Sequence, residues 1–312
     1  MKILITGAAG FIGSHLSENL LNEGHQIIGF DNFDPFYDRS IKERNLEKSL
    51  SNGLFTFFEG DLNDSGDMKD LFEGQKFDAV VHLAAKAGVR PSIDHPLEYT
   101  RVNVNGTQNL LEMMKNEGIE RLVFASSSSV YGNRKVVPYE ESMNVNNPIS
   151  PYAATKVAAE VLCYTYWQLF GISVTCLRFF TVYGPRQRPE MAIAKFIKKA
   201  YNDEPISVFG DGTSSRDFTY IDDIIQGVVS AVHNDLGYEI INLGESETIE
   251  LNSLIAVIEE LTGKEVIKEY LDMQPGDVLT TYADISKAKK LLNYNPTTNI
   301  EEGISKYIDW LE

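Results

Sequence analysis

Cysteine is nearly absent: Cys163 and Cys176 are the only two in 312 residues, with no Cys-x-x-Cys spacing and no neighbouring histidine. A disulfide scaffold and a structural zinc site are both excluded. Long apolar runs are equally scarce, since no window approaches the ~18 residues a membrane helix needs. The first five residues, Met1-Lys2-Ile3-Leu4-Ile5, are too short for the apolar core of a secretory signal. The expectation is a soluble, cytoplasmic protein with no membrane partner. Basic residues are the third shortage, 28 Lys+Arg against 45 Asp+Glu for a net charge of −17. Because the longest basic clusters are the doublets Lys198-Lys199 and Lys289-Lys290, nothing could cover a polyanionic backbone, and nucleic acid is not expected as a partner. Any phosphate this chain binds must be held by local backbone dipoles and a few placed cations.

What the chain does have is alternation. Short apolar runs at 3–5, 26–30, 54–58, 79–83, 122–125 and 173–177 are separated by helical patterns, which predicts parallel strands joined by helical crossovers. The fold class is α/β: a doubly wound parallel Rossmann-type sheet over 1–180, then a smaller, turn-rich α/β lobe over 181–312. The two are interleaved if the run at 239–243 returns to the main sheet. Within the second lobe, 191–201, 222–233 and 251–261 read as helices.

The first strand runs directly into Gly7-Ala8-Ala9-Gly10-Phe11-Ile12-Gly13. A tight turn, close approach of backbone N–H groups to a pyrophosphate and close helix packing all require residues without a Cβ at this spacing. The helix that follows offers its N-terminal partial charge to an anion. The second strand ends in Asp31-Asn32, 18 residues beyond Gly13, near the offset at which a carboxylate accepts from a ribose diol and repels a 2′-phosphate. That favours NAD over NADP, although Asp31-Asn32 also suits a strand-end turn by composition. Farther on, a strand runs into four serines, Ser126-Ser127-Ser128-Ser129, followed by Val130-Tyr131-Gly132. Tyr152 and Lys156 lie at i and i+4 of a helical pattern and therefore share a face. A phenol titrates near 10 and needs a neighbouring cation to act as a base at neutral pH, so Lys156 is expected to lower the pKa of Tyr152.

These segments, with Gly60-Asp61-Leu62, His82-Leu83-Ala84-Ala85, Asn103-Val104-Asn105-Gly106-Thr107, Val182-Tyr183-Gly184-Pro185 and Arg216-Asp217-Phe218, resemble the extended short-chain dehydrogenase/reductase superfamily nearly end to end. Within it the chain is most similar to the nucleotide-sugar 4-epimerases. The resemblance implies that Tyr152 is the catalytic base, that Lys156 holds the nicotinamide ribose, and that Ser127 bonds the reacting sugar hydroxyl with Ser128 as its helper. By the same resemblance Gly7, Gly10, Phe11, Ile12, Gly13, Asp31, Asn32, Asp61, Leu62, Leu83, Ala84, Ala85 and Lys86 line the path of a tightly held NAD, and Asn103 supports the site. Dehydratases and decarboxylases of this superfamily carry carboxylates just after the Ser or Thr, where this chain has Ser128 and Ser129. Reversible hydride removal at sugar carbon 4 is then the reaction left, with no external redox partner. Retention of Tyr152, Lys156 and Ser127 together argues against a non-catalytic NAD-binding interaction protein.

The resemblance further places Thr181, Arg188, Arg216, Asp277 and Arg90 near a UDP-sugar, with Val208 and Phe209 beside the uracil and Arg216 on the diphosphate. A surface arginine beside Asp217 is the alternative. Ala87-Gly88-Val89-Arg90, the segment from Arg186 to Met191, and Gln274-Pro275-Gly276-Asp277 look more like UDP-glucuronate 4-epimerases than UDP-glucose ones. Arg188 is then expected at the glucuronate carboxylate, and a rim position is its alternative. Lys86 departs from the glutamine usual in glucuronate epimerases. Arg186 could equally pair with Glu190. The five histidines show no ligand spacing, so no metal is expected, and His82 reads as a packed residue. A homodimer is expected from the family, through the helices carrying Asn103 and Trp167.

Overall fold

Ile3, Leu4 and Ile5 are all fully buried, yet in two different places: Ile3 and Ile5 join one hydrophobic core and Leu4 the other. That is what a strand covered on both faces requires, and it explains why the strands read as unbroken apolar runs. The computed structural model, which describes residues 1–274 and 276–312, assembles them into one seven-stranded parallel sheet. Its strands are β1 (Lys2–Thr6), β2 (Gln26–Asp31), β3 (Phe55–Glu59), β4 (Ala79–His82), β5 (Arg121–Ser127), β6 (Ser173–Phe179) and, after four short strands, β11 (Tyr238–Leu243). The order is β11-β6-β5-β4-β1-β2-β3. Successive strands are therefore added outward in one direction from β1 to β3 and in the other from β4 onward, and the point between β1 and β4 is the switch at which doubly wound sheets bind ligands.

Helices α1 (Phe11–Asn22), α2 (Arg39–Leu50), α3 (Ser65–Phe72), α4 (Val89–Asp94), α5 (Pro96–Thr100), α6 (Gly106–Asn116) and α7 (Pro151–Phe170) belong to the first half. The long α7 has clear ends. The Ser150 side chain caps it by accepting from the Ala153 N–H at 3.1 Å, Pro151 occupies its first position, and Gly171 closes it at φ 73°.

The second half adds α8 (Ala192–Tyr201), α9 (Ile221–His233), α10 (Leu251–Thr262), α11 (Ser286–Leu292) and α12 (Ile300–Leu311). Its short strands pair as three small ladders: β7 (Thr181–Tyr183) with β10 (Phe218–Tyr220), β8 (Ile206–Phe209) with β13 (Lys268–Leu271), and β9 (Ser215–Arg216) with β12 (Ile249–Glu250). Residues 238–243 do return to the main sheet, in register from Tyr238 opposite Val174 to Leu243 opposite Phe179. Helix α9 likewise packs against α1, so the later half of the chain completes the earlier one. Among the described residues, no helix is long and apolar enough to cross a membrane.

A knot of acids lies in the second half. Asp217 is fully buried and accepts from the backbone N–H groups of Glu245, Ser246 and Ala283 at 2.8–3.2 Å. Burial raises its pKa to about 6, and burial with the nearby Asp223 and Asp217 raises that of Glu245 to about 8. Both carboxyls hold protons more tightly folded than unfolded, so stability falls as pH rises from the ordinary carboxylate range to about 8. Glu245→Gln should therefore raise the melting temperature at pH 8 by about 1–2 °C, the shift that ~1 kcal/mol produces in a chain of about 300 residues, and by less at pH 5. Equal shifts at the two pH values would show that Glu245 ionises freely.

Candidate functional site

A cleft of about 510 Å³ opens across the carboxyl ends of the sheet. One side is the glycine turn. Gly7 has φ +74°, and a Cβ there would stand 2.7 Å from Ala84 N, because the loops after β1 and β4 touch at the switch point. A Cβ on Gly13 would overlap the Gly7 carbonyl and stand 2.9 Å from Ala8 Cα. The turn is thus a cradle open only to glycine, and the first N–H groups of α1, which have no partner within the helix, face the cleft. Phe11, Ile12, Asn32, Asp61, Leu62, Leu83, Ala84 and Ala85 line the same side.

Asp31 lines it too, and it also does turn work: its carboxylate accepts from Ala9 N at 3.2 Å and from Phe33 N at 2.8 Å. Burial raises its pKa, and the Lys42 ammonium opposes the rise. Lys86 is neither free nor in open solvent. It bridges Asp34 and Glu98 at 3.1 Å each, and those two partners outweigh burial to raise its pKa. Asn103 stays behind the cleft wall, where it bonds both the N–H and the C=O of Lys86 at 2.8 and 2.9 Å and donates to Thr155 on α7 at 3.0 Å. It sits in a π-turn, Arg101–Asn105, that joins α5 to α6, a distortion common at functional sites. His82 is packed, as its sequence position suggested. It is fixed between Thr6 Oγ1 at 2.7 Å and Thr107 Oγ1 at 3.0 Å, and burial lowers its pKa to about 3.

The reactive groups meet at the end of β5. Tyr152 lines the cleft in edge-to-face contact with Tyr99, ring centroids 6.2 Å apart. Lys156 is buried, donates to the Ala125 carbonyl at 2.7 Å and lies 6.0 Å from the centre of the Tyr152 ring. The expected effect of Lys156 on the phenol needs correction. Burial raises the pKa of Tyr152, and the groups that pull it back are the Ser127 hydroxyl and the Arg188 charge. Lys156 is itself weakened as a cation, because burial lowers its pKa to about 8.

Ser127 Oγ accepts from the N–H and the hydroxyl of Ser129 at 3.2 and 2.9 Å. Its own hydrogen is then free for Tyr152. Ser128, the expected helper, lines the cleft, but the hydroxyl bonded to Ser127 is that of Ser129, because the 3₁₀ turn at Ser128–Tyr131 carries Ser129 back over Ser127. A hydroxyl chain ending on a phenol beside a buried amine can pass a proton to or from a bound alcohol.

Behind these groups, Glu160 accepts from Ser126 at 2.5 Å and from the Arg178 guanidinium at 2.9 and 2.8 Å, all fully buried. This ties α7 to the ends of β5 and β6 and holds Tyr152 opposite Ser127.

Toward the second half the lining is Thr181, Arg188, Arg216 and Asp277. Arg188 pairs with Glu190 at 2.9 Å, whereas Arg186 turns away to Glu18 at 2.6 Å. Arg188 also lies 5.7 Å from the centre of the Phe36 ring, and its charge is among the groups that lower the pKa of Tyr152. Arg216 is half-buried and not a free surface arginine. Its guanidinium donates to the carbonyls of Ser215 and Leu279 at 2.8 and 3.1 Å and faces Asp277 and Arg90.

Arg90 pairs with Asp277 at 2.6 Å and lies over the Phe209 ring at 4.2 Å, but neither Arg90 nor Phe209 is among the residues that line the cleft. Val208 must be corrected: its side chain is fully buried in the core, because alternation along β8 turns Phe209 outward and Val208 inward. Pro275 lies outside the described residues. The sequence reading missed Lys42, a buried cation at the cleft that donates to the Asp34 carbonyl at 2.7 Å. It also missed Tyr99 and Ser129. Lys42 gave no signal beyond being a lysine on a helix, whereas Ser129 was one of four adjacent candidates.

The model of the NAD dependent epimerase/dehydratase family matches residues 3–244. A UDP-glucuronate 4-epimerase from Thermodesulfobacterium geofontis is 47% identical over 308 residues, 98% of this chain and 95% of that protein. The crystal structure of a UDP-glucuronic acid 4-epimerase from Bacillus cereus, in complex with UDP-glucuronic acid and NAD, superposes with a TM-score of 0.94 at 41% identity, covering 100% of this chain and 99% of the other. A UDP-glucose 4-epimerase from Thermotoga maritima, with UDP-glucose, gives 0.91 at 32% identity, over 100% and 98% of the two chains. A match that runs through the whole main sheet, with relatives this similar along their full length, settles the family: the chain belongs to the NAD dependent epimerase/dehydratase family.

Proposed function

We propose that this protein is an NAD-dependent UDP-sugar 4-epimerase that interconverts UDP-glucuronate and UDP-galacturonate. The observation that carries the sugar assignment is the pair of guanidiniums at separate places in one cleft, Arg216 facing Asp277 and Arg188 near Tyr152. A neutral hexose on a diphosphate calls for one such cation, and a uronate adds a carboxylate for the other. The relatives agree, since the glucuronate enzymes above are the more similar to this chain.

The glycine turn and the N-terminus of α1 fit a dinucleotide pyrophosphate, with Asp31 at its ribose. NAD bound there supplies a reversible hydride acceptor at sugar carbon 4. Tyr152 takes the proton of the 4-hydroxyl, helped by Ser127 and behind it Ser129, and returns it after the flat 4-keto sugar has turned about its phosphate linkage. Lys156 holds the nicotinamide ribose. With Ser128 and Ser129 where a carboxylate would otherwise stand, neither position offers a base for the proton on carbon 5. A 4-keto uronate is a β-keto acid that loses carbon dioxide readily, and Arg188 opposes this by gripping the carboxylate in a plane that the carbonyl cannot assist.

In this reading residues 1–180 chiefly hold NAD and residues 181–312 chiefly hold the UDP-sugar. The working form is a homodimer, supported by the exposed apolar side chains Val161, Tyr164, Leu169 and Phe170 along α7. Incubating the purified protein with UDP-glucuronate, UDP-glucose and UDP-N-acetylglucosamine, and resolving the products by NMR, should give UDP-galacturonate from the first. Conversion of the neutral sugars alone would overturn the assignment.

A further inference from the structure

Two histidines 208 residues apart in the chain meet far from the cleft. Gly24, at φ +83°, reverses the chain between α1 and β2 and brings Glu23 and His25 to the same side. The end of α9 delivers His233. Glu23 Oε2 stands 3.3 Å from His25 Nε2 and 2.9 Å from His233 Nε2, and the three donor atoms all lie within 4.8 Å of one another. The imidazole rings are tilted at 52° with centroids 5.4 Å apart.

His25 Nε2 is buried and has no hydrogen-bond partner among the described residues. Its contact with Glu23 is close but misaligned, and the Met1 amine, 3.3 Å from Nδ1, steadies the ring from the other side. An unpartnered ring nitrogen aimed at a carboxylate and a second imidazole is an arrangement that a cation would complete.

We infer that Glu23, His25 and His233 bind a divalent transition-metal ion of the zinc type, pinning the end of α9 to the turn between α1 and β2. Donor chemistry selects the ion: two imidazoles and one carboxylate suit zinc, nickel or copper, whereas calcium and magnesium prefer all-oxygen sites. Geometry agrees, since ligands about 2.0–2.1 Å from a tetrahedral zinc stand about 3.3 Å apart. Two of the three edges are already near that value, and the remaining closure falls to the exposed His233 side chain. Solvent would complete the fourth position. The elements joined are the helix that presents the glycine turn and a helix from the far half of the chain, so the ion would act on stability and not on the reacting groups.

The test uses the full, tag-free chain, chelator-treated, at pH 7.5. Zinc chloride titrated by calorimetry should bind at one equivalent, and at about 100-fold excess over its dissociation constant it should raise the melting temperature by roughly 5 °C. Magnesium should give neither signal. His233→Ala should melt as wild type does in chelator, weaken zinc binding at least tenfold and keep full turnover; His25→Gln should weaken it likewise. Absence of zinc binding, or binding unchanged in both variants, would overturn the site.

Discussion

Tyr152→Phe should bind NAD as wild type does and lose about 10²–10⁴-fold in turnover, the usual worth of a positioned general base. The substitution removes one hydroxyl and keeps the ring that packs edge-on against Tyr99, so the loss belongs to the proton and not to the fold. The readout is twofold: nicotinamide nucleotide released on denaturing the purified protein, and product formation followed by NMR. Burial raises the phenol pKa, so wild-type turnover should climb with pH on its acid side, and that limb should vanish in the residual activity of the variant. Undiminished turnover would mean that the base is elsewhere.

Arg188→Ala should split the substrates. Losing a charge-assisted bond to a carboxylate costs roughly 1.5–3 kcal/mol, about 10- to 150-fold in kcat/KM, and that loss should fall on UDP-glucuronate. UDP-glucose, which has no carboxylate to lose, should change by a few-fold at most. The variant also frees Glu190, now paired with Arg188 at 2.9 Å, and an unpaired anion nearby would deepen the loss for an anionic sugar. The variant should also release more of the decarboxylated 4-keto product, visible in the same spectra. Equal losses on both sugars would remove Arg188 from specificity.

The parts of this molecule legible in the sequence are those that local rules decide. The glycine turn at 7–13 and the pairing of Tyr152 with Lys156 follow from steric need and helical spacing, and the strands from unbroken apolar runs. The parts that were not legible depend on partners distant in the chain. Lys86, in the loop after β4, meets Asp34, 52 residues earlier, and Glu98 on α5. The inward turn of Val208 is settled by its place on β8, which pairs with β13 some sixty residues later. Which of the three neighbouring serines bonds Ser127 is decided by one 3₁₀ turn. The phenol pKa was misread for a related reason: spacing reveals that an amine is nearby but not how far the surrounding walls exclude water.

The placement of β11 bears on how the molecule comes into being. Strand β6 cannot be covered until residue 238 pairs with residue 174, and α1 waits still longer for α9, more than two hundred residues downstream. On the ribosome the growing chain therefore carries a bare strand edge and an uncovered apolar face until most of it has been synthesised, which makes the nascent protein a natural client for a chaperone.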